Sequence, residues 1–305
     1  GYQAVALGHH ADDQVETVLK RVMEGSALCH FGAMKRISMI DGLKIFRPLL
    51  DVSRKDILHF IEEKKISSFD DHTNYDTKFL RARLRQETFP FLTKQFGKNV
   101  RTSLLRLSKE AQELEHYLDR KITTYLSGMV EGPWGTFIDL SQHFPVEELE
   151  RQHLLKHLCK NYLTLSREQY TSLSTHLLTG TADRHVATGK GIVFIDRRRL
   201  FILKKKILPL KTSLPLTPGI QSYGPWTVTV KHLDAKCTEA PPHSSWKNLW
   251  QGPVSIVLPQ GNYQLGPCAS NECYPRTHTI SKWWTSHKVP AFLRPLVPVV
   301  RDEAG

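Results

Sequence analysis

No stretch of this sequence stays apolar for anything near the ~20 residues that a bilayer-crossing helix requires. No basic, apolar and small-residue leader opens it either, so it predicts neither a membrane segment nor a secretion signal. Cysteine is sparse and odd in number: Cys29, Cys159, Cys237, Cys268 and Cys273. Only the last two lie close together, and no second pair completes a zinc pattern. Isolated thiols of this kind fit a reducing cytosol, which predicts a cytoplasmic protein. Internal repeats and low-complexity tracts are absent as well, excluding solenoids and biased tails. Acidic residues are in deficit: 30 Asp plus Glu face 42 Lys plus Arg, a formal charge of +12. A field of that sign attracts polyanions through steering and counterion release. A basic surface without a ligand accounts for the excess equally, so charge admits nucleic acid without establishing it. With 305 residues, 40% hydrophobic and 24% charged, the chain predicts two or three folded domains rather than disorder.

Gln3-Ala-Val-Ala-Leu7 reads as a buried strand, and a domain seldom begins flush on one, so sequence is expected upstream. After Gly8 and a polar turn, Val15, Val18, Leu19, Val22 and Met23 follow helical spacing. Strand, short turn, helix is the α/β building block, and open α/β sheets bind ligands at strand carboxyl ends. Residues 42–50 repeat the pattern more weakly, with Ser53 as a cap for a helix over 54–64. A helix over 77–87, stopped by Pro90, comes next. Val100, Leu104, Leu107, Ala111, Leu114 and Leu118 then predict one long helix over 99–126, roughly 40 Å at 1.5 Å per residue. Such a helix suits a spacer between domains or ordinary packing in a bundle. Residues 146–178 read as helices, and 185–203 as strands turned at Gly189-Lys-Gly191 and Asp196-Arg-Arg198. A Pro, Ser and Gly-rich linker spans 211–225. Beyond it, strands are expected at 226–231 and 254–258, and a basic helix near 280–288.

Chemistry concentrates at the first strand end. Gly8, His9, His10, Asp12, Asp13, Gln14 and Glu16 crowd one turn. A helix cap needs one acidic residue, and either aspartate would serve. The surplus carboxylates point to a second role, with Asp12 and Asp13 holding Mg²⁺ against a triphosphate, or Asp12, Asp13 and Glu16 orienting an amine nucleophile. Arg81 and Arg85 share a helix face while Arg83 points away. An exposed charged face and phosphate binding by guanidinium forks both explain that run. Arg197-Arg-Arg199 and Lys204-Lys205-Lys206 bracket a strand and either follow an RNA backbone or keep an edge strand soluble. Lys282, Trp283, Trp284, His287, Lys288, Phe292 and Arg294 interleave cations with aromatics, a pattern shared by unpaired-base binding and by a tryptophan-rich core.

Taken in order, Gly8-His-His-Ala-Asp-Asp-Gln-Val-Glu-Thr17, Glu24-Gly-Ser26 and Gly32-Ala-Met34 resemble the tRNA(Ile)-lysidine synthetases. These belong to the N-type ATP pyrophosphatases, the PP-loop group. Arg47-Pro-Leu-Leu50 with Val52-Ser-Arg54 resembles the next family block. Asp71-His-Thr-Asn-Tyr-Asp76 with Arg81-Ala-Arg-Leu-Arg85 and Pro90 resembles the one after. The likeness is dense over 1–95, looser through the middle, and returns at 289–298. The family's phosphate signature, Ser-Gly-Gly-x-Asp-Ser, occurs nowhere here. Ala27 replaces a usual glycine, His72 a proline and Ala82 an asparagine.

The resemblance implies an α/β fold: a partial Rossmann-like parallel sheet over 1–98, a long helix with a central tRNA- and substrate-binding domain over 99–210, and a small α+β tRNA-binding domain over 217–305. It implies ATP and Mg²⁺ as cofactors, and as partners free L-lysine and a tRNA(Ile) with a CAU anticodon; a homodimer is compatible with it. The implied reaction joins lysine to carbon 2 of the wobble cytidine through an adenylated intermediate. In it Asp12, Asp13, Glu16 and Arg81 are catalytic; Gly8, His9, His10, Arg83 and Arg85 bind nucleotide or substrate. Lys204, Lys205, Lys206, Lys282, Trp283, Lys288 and Arg294 grip the tRNA. The rivals are another PP-loop enzyme, thiolase-like or amidotransferase-like, a phosphohydrolase using His-His-Ala-Asp-Asp with His59 and His72, and a tRNA-binding fragment without catalysis.

Overall fold

In the computed structural model, residues 3–40, 42–69, 76–132, 134–160, 162–203, 209–232, 246–251, 254–268 and 279–302 are described. The chain divides into two compact units, 1–120 and 121–305.

In the first unit, β1 (Val5–Ala6) runs parallel to β3 (Leu43–Phe46), with Val5 opposite Ile45. Each is followed by a helix, α1 (Ala11–Met23) and α2 (Arg54–Glu63), which is the expected α/β repeat. An additional strand, β2 (Ile37–Ile40), pairs antiparallel with β3. Its signal is legible in retrospect: Asp41-Gly42 separates two apolar runs, Ile40 faces Leu43, and Gly42 takes φ +80° as a tight hairpin demands. The expectation of a buried strand over 3–7 is corrected. Only Val5–Ala6 pairs, and both are exposed; among the described residues β1 has a neighbour, β3, on one side alone.

Ser53 caps α2 as expected, its side chain accepting from the Asp56 N–H. Pro90, in contrast, stops nothing. Helix α3 (Leu80–Arg83) passes through a π turn (Leu84–Thr88) into α4 (Phe89–Phe96). Proline sits in the first turn of α4, where a missing N–H is tolerated, and the run ends instead at Gly97 with φ +63°. The long helix α5 (Val100–Leu126) forms within one residue of its expected start. Val15, Leu84 and Phe89 make a small core here, packed by Leu19, Leu104 and Leu105.

The second unit centres on an antiparallel sheet in the order β4 (Met129–Gly132), β5 (Gly135–Asp139), β8 (Arg199–Leu203), β7 (Ile192–Asp196), β6 (Arg184–Ala187). Successive side chains point to opposite faces, and both faces are covered. Val193, Ile195, Leu200 and Ile202 join one core with α6 (Glu148–Cys159) and α7 (Arg167–Thr179). Phe137, Phe201 and Leu203 join the other with α8 (Trp246–Gln251) and α9 (Ile280–Ser286). That double burial is why Leu200-Phe-Ile-Leu203 is apolar without alternation. Arg197 and Arg198, both at positive φ, turn β7 into β8 in two residues. At Gly135, φ +149°, any Cβ would collide with the Ile202 carbonyl.

Two smaller sheets complete the unit: β10 (Gly219–Tyr223) with β11 (Trp226–Val230), and β9 (Leu214–Pro215), β12 (Gln264–Pro267) and β13 (Pro298–Arg301). The strand expected at 254–258 is corrected: those residues carry no ladder, and Ile256, Val257 and Leu258 are exposed. Apolar β-formers without a sheet neighbour do not make a strand.

Candidate active site

Helix α1 begins where β1 ends, and its start is tied to the start of α2. The Ala11 N–H donates to the Val52 carbonyl at 2.9 Å. His10 occupies the N-cap, and its backbone N–H donates to Asp13 Oδ2 at 3.0 Å. Asp13 is thus the capping carboxylate, reaching back from the third helical position.

One turn apart on α1, Asp13 and Glu16 face inward and are almost fully buried, at 8% and 2% side-chain exposure. Buried carboxylates demand partners, and Arg85 supplies one guanidinium for both. Its Nη2 donates to Asp13 Oδ1 at 2.8 Å and to Glu16 Oε2 at 3.2 Å, while its Nε donates to Glu16 Oε1. The Glu16 hydrogen bond, with the Asp13 and Asp12 charges, raises the Arg85 pKa above its ordinary value. Arg81 stands one turn away. It lies 3.8 Å from Asp13 and 3.9 Å from Glu16 and remains 55% exposed, so it is a loosely held cation beside a tightly held one.

Asp12 points elsewhere. Its Oδ2 accepts the Arg54 N–H at 2.9 Å, capping α2 across the chain, and its Oδ1 accepts from Arg101 Nη1 at 2.8 Å. His9 stands near Asp13, Arg47, Arg81 and His10, with Nδ1 shielded and without a partner among the described residues. Burial, aided by the neighbouring cations against the pull of Asp13, lowers its pKa, so the imidazole is neutral near pH 7. Gln14, one of the residues crowding the turn, plays a structural part: its buried amide donates to the Gly32 and Met34 carbonyls and to Ser108 Oγ while accepting the Met34 N–H. It pins the 3₁₀ turn Leu28–Gly32 against α1 and α5.

Beside this network opens a cavity of about 660 Å³, lined by Glu16, Lys20, Phe79, Arg81 and Arg85 among others. Arg83 is exposed and takes no part, and Gly8 lies in the exposed turn after β1. The carboxylates are engaged by arginine and backbone donors. Both oxygens of Asp12, of Asp13 and of Glu16 already accept hydrogen bonds. Among the described residues no group of three His, Cys, Asp or Glu is placed to hold a metal. His59 sits exposed on α2, and His72 lies outside the described residues.

In the second unit, the cations expected to grip RNA separate into two kinds. Lys282 and Lys288 are exposed. Arg294 turns inward: Nε and Nη2 both donate to the Val289 carbonyl, and its guanidinium lies 5.8 Å from the Trp284 ring. Arg199 is buried, paired with Asp196 and donating to the Lys288 carbonyl at 2.9 Å, so the Arg197–Arg199 run is absorbed into the hairpin rather than presented as a track. Trp283 is half-buried against the aromatic core and stacks on His287 at 4.3 Å. Lys204, Lys205 and Lys206 lie outside the described residues, as do Cys237 and Cys273. Among the described residues no helix is long and apolar enough to cross a membrane.

Comparison with known proteins adds the remaining observation. Residues 1–92 match the PP-loop domain family. The tRNA(Ile)-lysidine synthase of Protochlamydia amoebophila is 35% identical over 303 residues, covering 98% of this chain and 65% of that protein. The synthase of the same name from Chlamydia muridarum is 40% identical over 161 residues, 53% of this chain and 49% of its own length. That of Chlamydia trachomatis serovar D is 36% identical over 188 residues, 60% and 57%. The chain thus spans about two thirds or less of the relatives it matches. Residues 1–92 match the PP-loop domain family, and the chain is similar to a tRNA(Ile)-lysidine synthase along nearly its whole length.

Proposed function

We propose that this chain is the greater part of a tRNA(Ile)-lysidine synthase, an ATP-dependent ligase that forms a carbon–nitrogen bond. The observation that carries the reading is that similarity runs through both units, 303 residues in all, and not through the PP-loop domain alone. A shared PP-loop would admit any adenylating relative; a shared second unit selects this one. Two structural findings weigh against the rivals. No cysteine is found among the residues of the Asp13–Glu16–Arg85 network or the cavity beside it, as a thiolase reading would favour. The carboxylates are engaged with arginines instead of being open to a hydrolytic metal.

In this reading the cytidine O2 attacks the α-phosphorus of ATP and pyrophosphate leaves. The amine of lysine then attacks carbon 2, loses a proton, and AMP departs with the oxygen. Arg81, exposed at the cavity, neutralises charge on the adenylated intermediate. Asp13 and Glu16 are held by Arg85 at short range and by Arg81 at 3.8 and 3.9 Å; once Arg81 engages the intermediate, the two carboxylates outnumber Arg85 and attract the lysine ammonium. Neutral His9 is in the form that accepts a proton. Asp12 is a positioning residue rather than a catalytic one, since its oxygens tie α2 and α5 to the turn. ATP and Mg²⁺ are taken together as the substrate complex, with no step assigned to the metal. The protein is cytoplasmic, and residues 1–98, 99–210 and 217–305 serve as nucleotide, central and C-terminal tRNA-binding domains; a homodimer fits this reading.

The test is to incubate the whole protein with ATP, lysine and a tRNA(Ile) transcript bearing CAU, then analyse the nucleosides by mass spectrometry. Lysidine together with tRNA-dependent pyrophosphate release is expected. Phosphate release without RNA, or sulfur in place of lysine, would overturn the assignment.

A further inference from the structure

Four side chains of the helical run over 80–96 face α1. Arg81 and Arg85 lie against Asp13 and Glu16, and Leu84 and Phe89 share a small core with Val15 and Leu19. An α-helix presents positions i, i+3, i+4 and i+7 on one face. Counted from Arg81 these are 81, 84, 85 and 88, yet the fourth side chain here is Phe89. The run therefore carries one residue more than an α-helix needs to bury the same set.

The π turn absorbs that residue. The Phe89 N–H donates to the Leu84 carbonyl, five residues back, where a regular helix uses the carbonyl of Arg85. A ring closed over five residues is wider than one closed over four, and such turns concentrate at functional positions. Gln86 and Glu87 are exposed, so the added length brings no side chain into the core. Packing alone is served by a helix one residue shorter. What the widened turn carries is Arg85, whose guanidinium reaches Asp13 Oδ1 and both oxygens of Glu16 at once. Arg81, on regular helix one turn earlier, approaches the same carboxylates only to 3.8 and 3.9 Å.

Resting on the reading of these residues as the ligase site, we infer that the surplus residue of the π turn is a positioning element for the reaction. It seats Arg85 across both carboxylates, and so leaves Arg81 as the loosely held cation that meets the intermediate.

The experiment deletes Glu87, which returns the four facing side chains to α-helical spacing. In the whole protein, the deletion should leave the melting temperature and tRNA affinity as in wild type. Lysidine formation at saturating substrates should fall on the order of 100-fold, the effect of a misplacement of about 1 Å. Glu87→Ala, which keeps the length, should retain wild-type turnover. Arg85→Lys keeps the charge without the fork and should cost a factor similar to the deletion. The deletion and Arg85→Lys combined should cost no more than either alone, because both act on one contact. A deletion variant that melts well below wild type shows that the added residue serves packing, and overturns the inference. Wild-type turnover in the deletion variant overturns it too, as do losses that multiply in the combined variant or a Glu87→Ala defect equal to the deletion's. Each of these leaves the functional reading intact. Wild type that forms no lysidine overturns that reading, and this inference with it.

Discussion

Arg101 Nη1 donates to Asp12 Oδ1 at 2.8 Å, and the same guanidinium lies 4.3 Å from the centre of the Phe89 ring. With Asp12 Oδ2 on the Arg54 N–H, one carboxylate joins the starts of three helices, α1, α2 and α5. Asp12→Ala should therefore cost stability, about 1–2 kcal/mol for a lost cap and a lost charged hydrogen bond. Activity per folded molecule should survive in part. A denaturant titration paired with turnover checks this; loss of all turnover at unchanged stability would return Asp12 to the chemistry.

Asp13 differs by one residue and by its surroundings. Asp13→Asn should abolish lysidine formation and leave tRNA affinity nearly unchanged, because a buried carboxylate contributes little to holding a large polyanion. Filter binding alongside nucleoside analysis separates the two effects. A variant with normal turnover would remove Asp13 from the mechanism.

Removing Arg85 strands two carboxylates that water scarcely reaches. Arg85→Ala should destabilise the first unit by roughly 3 kcal/mol or more. Adding Glu16→Gln should recover part of that loss, since the second change removes one of the unpaired charges. Strict additivity of the two in urea unfolding would show that the pair is not coupled.

His9 has its folded pKa held below the ordinary 6.5 chiefly by burial. As pH falls through about 6.5 the unfolded chain takes up a proton that the folded chain does not. Stability is therefore fully present above that pH, declines as pH drops toward the lowered folded pKa, and levels off beneath it. His9→Gln should remove this part of the acid limb. Melting temperatures across about pH 5 to 8 measure it, and an identical profile for both proteins would refute the burial argument.

In the second unit, exposed and buried cations should behave differently. Replacing Lys282 and Lys288 together by Gln should flatten the salt dependence of tRNA affinity by roughly one to two units. Arg294→Ala should instead lower the melting temperature, because its donors serve Val289 rather than solvent. Trp283→Ala is expected to lower stability, its ring being half-buried against the core. If Arg294→Ala changes the slope and spares stability, the inward placement is wrong.

Local order in the sequence determined a good deal of this. Helical spacing placed α5 within a residue, Ser53 announced the start of α2, and the turns Gly189-Lys-Gly191 and Asp196-Arg-Arg198 marked two hairpins of the central sheet. The crowding of His, Asp and Glu after β1 marked the candidate site, because a cap consumes only one acid. Sequence also left equal choices standing, and only the tertiary structure decided them. Asp12 and Asp13 are neighbours in the chain, yet a helix turns successive side chains by about 100°, so one faces α2 and α5 while the other faces Arg85. Arg81 and Arg85 share a helix face, but depth differs along it, and the deeper one became a buried counterion. Arg101 carried no signal at all, since its partner lies 89 residues away. The same holds for Arg199 and Arg294: a cation's partner is a fact of packing, and local sequence encodes charge without encoding what will lie opposite it.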